Sequence, residues 1–522
     1  MKYQIFSDNE WIYPDSDITQ EGYADLHLAK NSDDCFQVLT DVTVEEGEKI
    51  TITAEGDLDV TVYQLLPVCV EMNSGADVFT TLDYDKVKNF VTRQAPFYVY
   101  DVTRDIDDGT LRKGRVAFFV RVSSKQNTPA GEYKLKLSIQ IGESELNTDF
   151  KAKVYNCAVP ELSKARFGHV NWIYHTLLCD AYGITTDDDK FLEIIGKYLE
   201  NQIELRNTHF QIPSGVPVRD ENGKVIDFDF RDAINVGNLA LEKGFNYIYG
   251  GFVARWNDWT KEGQYLLWNR DIDCTSEEGY RQLSMYFSKL WKVVRENNWE
   301  NVYMQGLVDE PQFANSISYR IVSAICRKYM PGIKIIDPQE TTELYESLDI
   351  SIVKQETYNR HQEKFDRTKN DYGHELWVYT CGYPAGDWMN RILDLSPLAS
   401  RLPCWMAVGY GMKGFLHWGY HCYHKDQPYE LSCFKSGENF LPPGNGYIVY
   451  PGESKPWNSV RAHIERGAVQ EAELLMQLAD KDEETAKGII SKVCTSFKEY
   501  TKSASEFAET RKLLMETLDS ML

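Results

Sequence analysis

Two adjacent carboxylates followed by a proline are the residues of this chain best suited to chemistry. Asp309 and Glu310 follow the apolar run 302–308 and precede Pro311. Pro311 disfavours helix at the residue before it and cannot donate to a strand ladder, so the pair is predicted where a strand gives way to a loop. Neighbouring side chains point to opposite faces of a regular strand. Both carboxylates can therefore reach one cavity and act as an acid–base pair only if the backbone turns there.

Charge and composition limit the classes of partner. The chain has 522 residues, a formal net charge of -23, 12 Trp and 32 Tyr. Nucleic acids and anionic membranes need clustered Lys and Arg, so neither is expected as a partner. Aromatic rings can pack on the C–H faces of sugars while their polar atoms bond hydroxyl groups, although most aromatic residues build cores. The composition favours a neutral ligand such as an oligosaccharide.

The amino terminus and the cysteines bear on the cellular compartment. Residues 1–9 lack the basic and apolar regions of a secretory signal, and no run approaches the roughly 18 apolar residues that span a bilayer. The 11 cysteines are scattered without a C-x-x-C pair, as expected for reduced thiols. We expect a cytoplasmic protein, although a chain from which a leader had been cleaved would look the same.

The spacing of apolar residues predicts a multidomain fold with three regions. Residues 1–160 alternate in short runs, which predicts an N-terminal β-sandwich. Residues 161–430 alternate strands with amphipathic helices in eight units, which predicts a catalytic, TIM-like (β/α)8 barrel. Residues 431–522 predict a loop and C-terminal helices packed on the barrel. The predicted barrel strands are 167–174, 208–212, 245–252, 302–308, 333–337, 350–355, 376–380 and 414–418.

The end of the fourth barrel strand is where many retaining glycosidases keep their acid–base catalyst. Ordinary retaining enzymes add a carboxylate nucleophile about 5 Å away, often from strand seven. Here no carboxylate follows strand seven before Asp387, and Glu375 lies at the opposite end of that strand. A substrate with a 2-acetamido group would supply the attacking oxygen itself through an oxazoline intermediate. An Asp beside the acid would then have a defined role.

This pair and layout resemble glycoside hydrolase family 123, whose marker is an adjacent Asp-Glu pair. Tyr-Pro-Gly at 450–452 and the segment 459–467 also look similar to the family. The chain departs from it at 467–471, where Gly-Ala-Val-Gln-Glu replaces an expected acidic pair. Family 20 hexosaminidases use a similar Asp-Glu pair, so the resemblance bears more on the mechanism than on the sugar. It implies an exo-acting β-N-acetylgalactosaminidase.

The resemblance also implies roles for the two carboxyl groups. Glu310 would protonate the departing glycosidic oxygen and later accept a proton from water. Asp309 would accept the acetamido N–H and stabilise the positive charge of the intermediate. The configuration would be retained, and the substrate would carry terminal β-GalNAc on a glycan of the glycosphingolipid type.

Other predicted strand ends offer substrate-binding candidates. Trp418 is suited to a floor under the acetamide methyl group, and Tyr379 or Tyr358 to a hydrogen bond with its carbonyl oxygen. Glu356 could bind sugar hydroxyls. Each is equally compatible with a core role, because large side chains also fill barrel interiors. The full candidate set is Asn171, Trp172, His209, Glu356, Tyr358, Tyr379 and Trp418.

A histidine-rich segment raises the question of a metal. His417, His421 and His424, with Cys422 among them, would meet on a helix, but 414–423 looks like a strand running into a loop. We therefore expect no metal and no cofactor, and we favour hydroxyl recognition by one of these histidines.

Alternative functions remain open on sequence alone. One is a retaining β-glycosidase with Glu356 or Asp387 as a covalent nucleophile. Another is a β-N-acetylglucosaminidase, since no single residue reports the orientation of O4. A third is a non-catalytic glycan-binding protein. No interface pattern stands out, so no oligomeric state is predicted.

Overall fold

The computed structural model describes residues 1–19, 22, 24–188, 190–258 and 260–522. The chain folds into two compact units. The first comprises Met1–Ala165, Cys381–Tyr410 and Gly419–Leu522, and the second comprises Arg166–Thr380 and Gly411–Trp418. All 11 cysteines are free thiols. Within the described ranges, no helix combines the length and the apolar character that crossing a membrane requires.

The amino-terminal part of the first unit is the predicted β-sandwich. Five of its strands join two strands of the carboxy-terminal segment in a seven-stranded sheet, five more form a second sheet, and Asn73–Ser74 pairs with Thr80–Thr81. Leu135, Leu137 and Ile139 of the five-stranded sheet share a core with Phe118 and Val120 of the seven-stranded sheet. Alternate residues face this core because side chains alternate along a strand. The strands are β1 (Tyr3–Ser7), β2 (Asp25–Lys30), β3 (Asp33–Val44), β4 (Glu48–Glu55), β5 (Asp59–Val70), β6 (Asn73–Ser74), β7 (Thr80–Thr81), β8 (Phe97–Arg104), β9 (Thr110–Leu111), β10 (Gly114–Ser123), β11 (Gly131–Ile141) and β12 (Ser144–Ala158).

The second unit is the predicted barrel. Its strands are β13 (Gly168–Asn171), β14 (His209–Gln211), β15 (Val216–Arg219), β16 (Val225–Asp229), β17 (Tyr247–Gly250), β18 (Ala254–Arg255), β19 (Tyr265–Leu266), β20 (Asn269–Asp273), β21 (Tyr303–Gln305), β22 (Lys334–Gln339), β23 (Ile350–Lys354), β24 (Glu375–Thr380) and β25 (Gly414–His417). Its helices are α1 (His175–Tyr182), α2 (Lys190–Glu204), α3 (Arg231–Lys243), α4 (Glu277–Glu296), α5 (Ser316–Tyr329), α6 (Gln355–Arg360) and α7 (Gln362–Tyr372).

Eight parallel strands form the barrel sheet in the order β13-β25-β24-β23-β22-β21-β17-β14. The seam between β13 and β14 is bridged where the Thr208 N–H donates to the His169 carbonyl oxygen at 2.9 Å. The Thr208 hydroxyl also accepts from the His169 N–H at 2.9 Å. All eight predicted strands are confirmed, with ends that shift by a few residues.

A tryptophan fills the barrel interior where two glycines leave room for it. A Cβ on Gly168 would lie 2.1 Å from the Trp377 ring, and one on Gly414 would lie 2.4 Å from it. His209 meets the same ring edge-on at a centroid distance of 4.9 Å. The barrel is therefore a packed core and not a pore.

Helix α4 shows why the crossover segments are helical. Ser276 caps it by accepting a hydrogen bond from the Gly279 N–H, and Glu277 and Glu278 occupy its first turn, where they suit the helix dipole. Its buried residues recur at helical spacing and include Leu283, Phe287, Leu290 and Val294, and its other face is polar.

The remaining elements of the first unit are β26 (Lys435–Ser436), β27 (Asn439–Phe440), β28 (Val449–Tyr450), β29 (Trp457–Ser459), α8 (Leu398–Gly409), α9 (Val460–Lys481), α10 (Glu483–Ile490) and α11 (Ala504–Ser520). The sequence prediction placed 431–522 on the barrel. The structure pairs β29 with β8, and Val460 and Ile464 of α9 share a core with Tyr63 and Phe119 of the sandwich strands. Strand pairing and apolar burial thus assign this segment to the first unit.

Buried ion pairs hold this segment in place. Arg461 of α9 pairs with Asp101 of β8 at 2.9 Å, and both side chains are fully buried. Glu471 pairs with Arg401 at 2.6 Å and with Arg511 at 2.5 Å. Glu471 lies in the segment that departs from the family pattern, so that segment has a structural role here.

Candidate active site

The backbone turns sharply after the fourth barrel strand. Regular pairing between β21 and β22 involves only Met304 and Gln305 of β21. Beyond it, Val308 forms an isolated parallel bridge with Ala254. Glu310 then adopts a φ of 48°, a left-handed conformation that is uncommon for residues with a Cβ atom. The turn that the sequence required at the two carboxylates is therefore present.

The buried side chain of Asp337 on β22 stabilises this turn. Its carboxylate accepts the Leu307 N–H at 2.9 Å and the Val308 N–H at 3.4 Å. The Tyr319 hydroxyl of α5 donates to the same group at 2.7 Å. Backbone N–H groups that leave a ladder need another partner when they are buried. Asp337 supplies that partner for the residues directly before Asp309.

The two carboxyl groups have different acidities. Burial raises the pKa of Glu310 to about 8, and the negative charges of Asp309 and Glu340 act in the same direction. The pKa of Asp309 is raised to about 6 by burial, while the positive charge of Arg255 opposes the rise. Near neutral pH, Glu310 is therefore the protonated member and Asp309 the ionised member of a coupled pair.

Tyr379 contacts the predicted acid directly. Its hydroxyl, at the end of β24, donates to the Glu310 Oε1 atom at 2.6 Å. The bond leaves the second carboxyl oxygen of Glu310 as the atom that can carry a proton. Tyr379 is thus a substrate-binding candidate that directly contacts the Asp309-Glu310 pair.

A lysine and a third carboxylate also lie at the carboxyl ends of the strands. Glu340 follows β22, and its N–H donates to the Pro311 carbonyl oxygen at 3.1 Å. Its carboxylate forms a short ion pair with Lys354, which ends β23. Lys354 lowers the pKa of Glu310, while Glu340 raises the pKa of both Asp309 and Glu310. The sequence reasoning missed both residues, although their position after barrel strands was a usable signal.

The three-stranded sheet β18-β19-β20 brings further residues to the pair. The indole N–H of Trp256 donates to the Asp309 carbonyl oxygen at 3.1 Å. The Arg255 guanidinium lies over the Trp256 ring, 5.1 Å from its centroid. Neither residue was predicted, because both lie in a crossover segment that sequence periodicity leaves without a defined position.

Two of the predicted aromatic residues lie near strand ends on the same side of the barrel. Trp172 is buried and meets the rings of Tyr249 and Phe252 edge-on, at 6.4 and 5.5 Å. Burial raises the pKa of Tyr249, and the negative charges of Asp337 and Asp309 act in the same direction. Trp418 is half-buried beside Tyr174, with ring centroids 6.3 Å apart.

The contacts of His209 and Asn171 indicate structural roles for both residues. His209 begins β14, at the opposite end of the barrel, and stacks on Tyr247 at 4.6 Å. Burial lowers its pKa to about 3, so it stays neutral. The Asn171 side-chain amide donates to the Asn207 Oδ1 atom at 3.2 Å, and the backbone carbonyl oxygen of Asn171 accepts from the Gln202 side chain of α2 at 2.7 Å. Asn171 therefore joins strand to helix.

The remaining candidates have partners of their own. The Tyr358 hydroxyl donates to Asp366 at 2.8 Å, and Glu356 forms a short ion pair with Arg360 within α6. Asp387 belongs to the first unit and pairs with Lys498 at 3.3 Å, with 57% of its side chain exposed.

The histidine-rich segment is divided between the two units. His417 ends β25 in the second unit, whereas His421, Cys422 and His424 belong to the first. In the part of the chain that the structure describes, no three His, Cys, Asp or Glu side chains form a group that could hold a metal ion.

A packed barrel with carboxyl groups of unequal acidity at its strand ends is typical of a glycoside hydrolase. The sequence profile of the glycoside hydrolase 123 catalytic domain matches residues 217–478, about half of the chain. The chain belongs to glycoside hydrolase family 123, and its substrate is a carbohydrate. No curated protein matches it by sequence.

A solved structure of a family 123 enzyme has the same fold. A family 123 glycoside hydrolase from Clostridium perfringens, described for glycolipid glycan hydrolysis, superposes with a TM-score of 0.75 at 12% identity. The match covers 99% of this chain and 98% of that one. A β-D-glucuronidase from Dictyoglomus thermophilum matches with a TM-score of 0.37 at 8% identity, covering 81% of this chain and 90% of that one. The second likeness is too low to support an argument.

We expect Asp337→Asn to lower kcat on an aryl glycoside by about tenfold to a hundredfold, because a small displacement of an acid–base group has such an effect. KM should change much less. Asp349→Asn is the matched control, since Asp349 also accepts a strand N–H, that of Ile335 at 2.8 Å. Steady-state kinetics and chemical denaturation of both variants provide the measurement. Equal losses of kcat in the two variants would contradict a specific positioning role for Asp337.

Proposed function

We propose that this glycoside hydrolase is an exo-acting, retaining β-N-acetylgalactosaminidase that uses substrate-assisted catalysis. The observation that carries the proposal is the pair Asp309-Glu310, with pKa values raised to about 6 and about 8. Near neutral pH such a pair offers a proton donor and an adjacent anion at once. Substrate assistance needs both of these groups, and no carboxylate nucleophile.

The reaction proceeds in two steps. In the first, the acetamide carbonyl oxygen attacks C1 as the C1–O bond breaks, and Glu310 transfers its proton to the leaving oxygen. In the second, water attacks C1 and gives its proton to the Glu310 carboxylate, while the bond between C1 and the acetamide oxygen breaks and the 2-acetamido group is restored. Two displacements at C1 retain the β configuration. The Tyr379 hydroxyl holds the Glu310 side chain throughout.

Asp309 directs the acetamide group. As a carboxylate it accepts the acetamido N–H, which aligns the carbonyl oxygen with C1 and stabilises the positive charge that develops on the oxazoline. Burial works against the ionised form of Asp309, whereas the nearby positive charge of Arg255 favours it. Arg255 therefore supports the protonation state that this role needs.

The surroundings of the other carboxylates support substrate assistance over a protein nucleophile. Glu356 and Asp387 pair with Arg360 and Lys498. Glu340 is the carboxylate that acts electrostatically on both members of the pair, and it is paired with Lys354. In the main alternative, a covalent route, Glu340 would therefore be the nucleophile.

The choice of GalNAc over GlcNAc rests on the family. The Clostridium perfringens relative is described for glycolipid glycan hydrolysis, and we extend that substrate class to this chain. We propose β-GalNAc at the non-reducing end of such glycans as the substrate.

A panel of 4-nitrophenyl glycosides tests the proposal. We expect fast hydrolysis of β-GalNAc, slower hydrolysis of β-GlcNAc, and none of β-Gal or α-GalNAc, because only a β-2-acetamido sugar carries its own nucleophile in place. A thiazoline mimic of the intermediate should inhibit, and a 2-fluoro glycoside should leave the protein unlabelled. Covalent labelling of Glu340, or rapid hydrolysis of β-Gal, would show that the substrate does not supply the nucleophile.

Glu310→Gln should separate leaving groups. On methyl β-GalNAc, whose leaving group needs a proton, we expect kcat to fall by at least about 10²-fold. On an activated nitrophenyl glycoside the first step should lose much less. Asp309→Asn is the control, since loss of acetamide alignment should affect both substrates alike. A uniform loss in Glu310→Gln as well would contradict its role as the acid.

The pH dependence of kcat/KM should be bell-shaped. Activity should rise as Asp309 loses its proton near pH 6 and fall as Glu310 loses its proton near pH 8. These midpoints describe the coupled pair rather than either residue alone. A profile measured with 4-nitrophenyl β-GalNAc between about pH 5 and 9 checks this. In Glu310→Gln the falling limb should disappear, and its persistence would assign that limb to another group.

A further inference from the structure

Two arginines flank Trp256 beside the catalytic pair. Arg255 is exposed, and its guanidinium lies over the Trp256 ring, 5.1 Å from the centroid. Arg270, on β20, donates to the Trp256 carbonyl oxygen and, at 2.8 Å, to the Asn257 side chain. The indole N–H of Trp256 in turn reaches the Asp309 carbonyl oxygen at 3.1 Å. Both guanidinium groups therefore lie beside the tryptophan whose indole contacts the backbone of Asp309.

The contacts of these arginines leave their charges without a paired anion. Among the described residues, neither guanidinium forms an ion pair with a carboxylate within 4.0 Å. Arg255 acts on Asp309 only at longer range, and burial lowers the pKa of Arg270, with the charge of Arg255 acting in the same direction. Two neighbouring cations therefore repel each other at this place.

Carboxylates outnumber cations in this chain, since aspartate and glutamate number 79 against 56 lysines and arginines, yet in its described part neither of these guanidinium groups has a carboxylate within 4.0 Å. Two neighbouring guanidinium groups repel each other, and a bound anion would offset part of that repulsion. Guanidinium groups also bind carboxylates and sulfates through paired hydrogen bonds, which gives them directional selectivity.

We propose that Arg255 and Arg270 form an anion-binding subsite, and that the preferred β-GalNAc substrate carries a carboxylate or sulfate group. The anion lies either on the cleaved sugar, as a sulfate ester, or on the sugar next to it, as a carboxylate. Trp256 supplies the apolar surface on which that part of the glycan packs. The inference rests on the proposed β-N-acetylgalactosaminidase function and specifies the substrate class within it.

Two matched substrate pairs test the subsite and locate the anion. The first is 4-nitrophenyl β-GalNAc with and without a 6-O-sulfate. The second is the disaccharide GalNAcβ1-4Gal with and without a sialic acid on the galactose. Within each pair, kcat/KM is expressed as the ratio of the anionic to the neutral substrate. We expect a ratio of about five or more in one pair, the effect of one solvent-accessible ion pair, and a decline of that ratio with added NaCl.

Substitutions of the two arginines test whether they cause the preference for the anionic substrate. Arg255→Gln and Arg270→Gln should each lower it by about fivefold, and Arg255→Lys should retain part of it. Because the ratio is taken within one variant, changes in overall activity cancel. Arg295→Gln is the matched control, since Arg295 also lies over a tryptophan, 5.7 Å from the Trp291 ring centroid, on helix α4. Its ratio should equal that of the unmodified enzyme.

The outcomes separate the two proposals. Hydrolysis of the neutral substrates with ratios at or below one in both pairs would overturn the anion subsite and leave the β-N-acetylgalactosaminidase function intact. A ratio above one that survives both arginine substitutions would also overturn it. Failure to hydrolyse any β-GalNAc substrate, neutral or anionic, would overturn the function itself.

Discussion

The site depends on how two backbone N–H groups are satisfied at the end of the fourth barrel strand. Leu307 and Val308 give up the ladder with β22 and donate to the Asp337 carboxylate instead. Buried N–H groups without a partner would pull the strand back into regular pairing. Regular pairing would send the next two side chains to opposite faces. Glu310 adopts a strained left-handed backbone conformation, and the hydrogen bonds to Asp337 compensate for that strain.

Once the turn is in place, unequal surroundings give two similar carboxyl groups different pKa values. Both are penalised by burial, but Arg255 favours the anion of Asp309, whereas Asp309 and Glu340 disfavour that of Glu310. Lys354 compensates Glu340 and limits that second effect. The difference in pKa between the two groups is thus set by neighbours from crossover segments and adjacent strands, and not by the dipeptide itself.

The scaffold follows from periodicity to a large extent. Eight strands and their helices were readable because parallel strands are apolar and crossover helices are amphipathic. The sequence predicted the carboxy-terminal helices but not the strands that they join, because an apolar helix face does not specify what it packs against. The edge pairing of β29 with β8, and the buried contact of Arg461 with Asp101, connect residues far apart in sequence. No local sequence pattern indicates such long-range pairings.

The sequence by itself determined the barrel, its eight strands and the position of Asp309-Glu310. The reason is that the periodicity of apolar residues and the backbone restrictions of proline are local properties of the chain. The tertiary structure decided which other side chains surround them. Trp256 and Glu340 reach the pair from other parts of the barrel, whereas His209 lies at the opposite end and Tyr358 bonds within the helix layer. The end of a predicted strand identifies a candidate residue. Only the packed backbone determines where the side chain of that residue points and which partner it contacts.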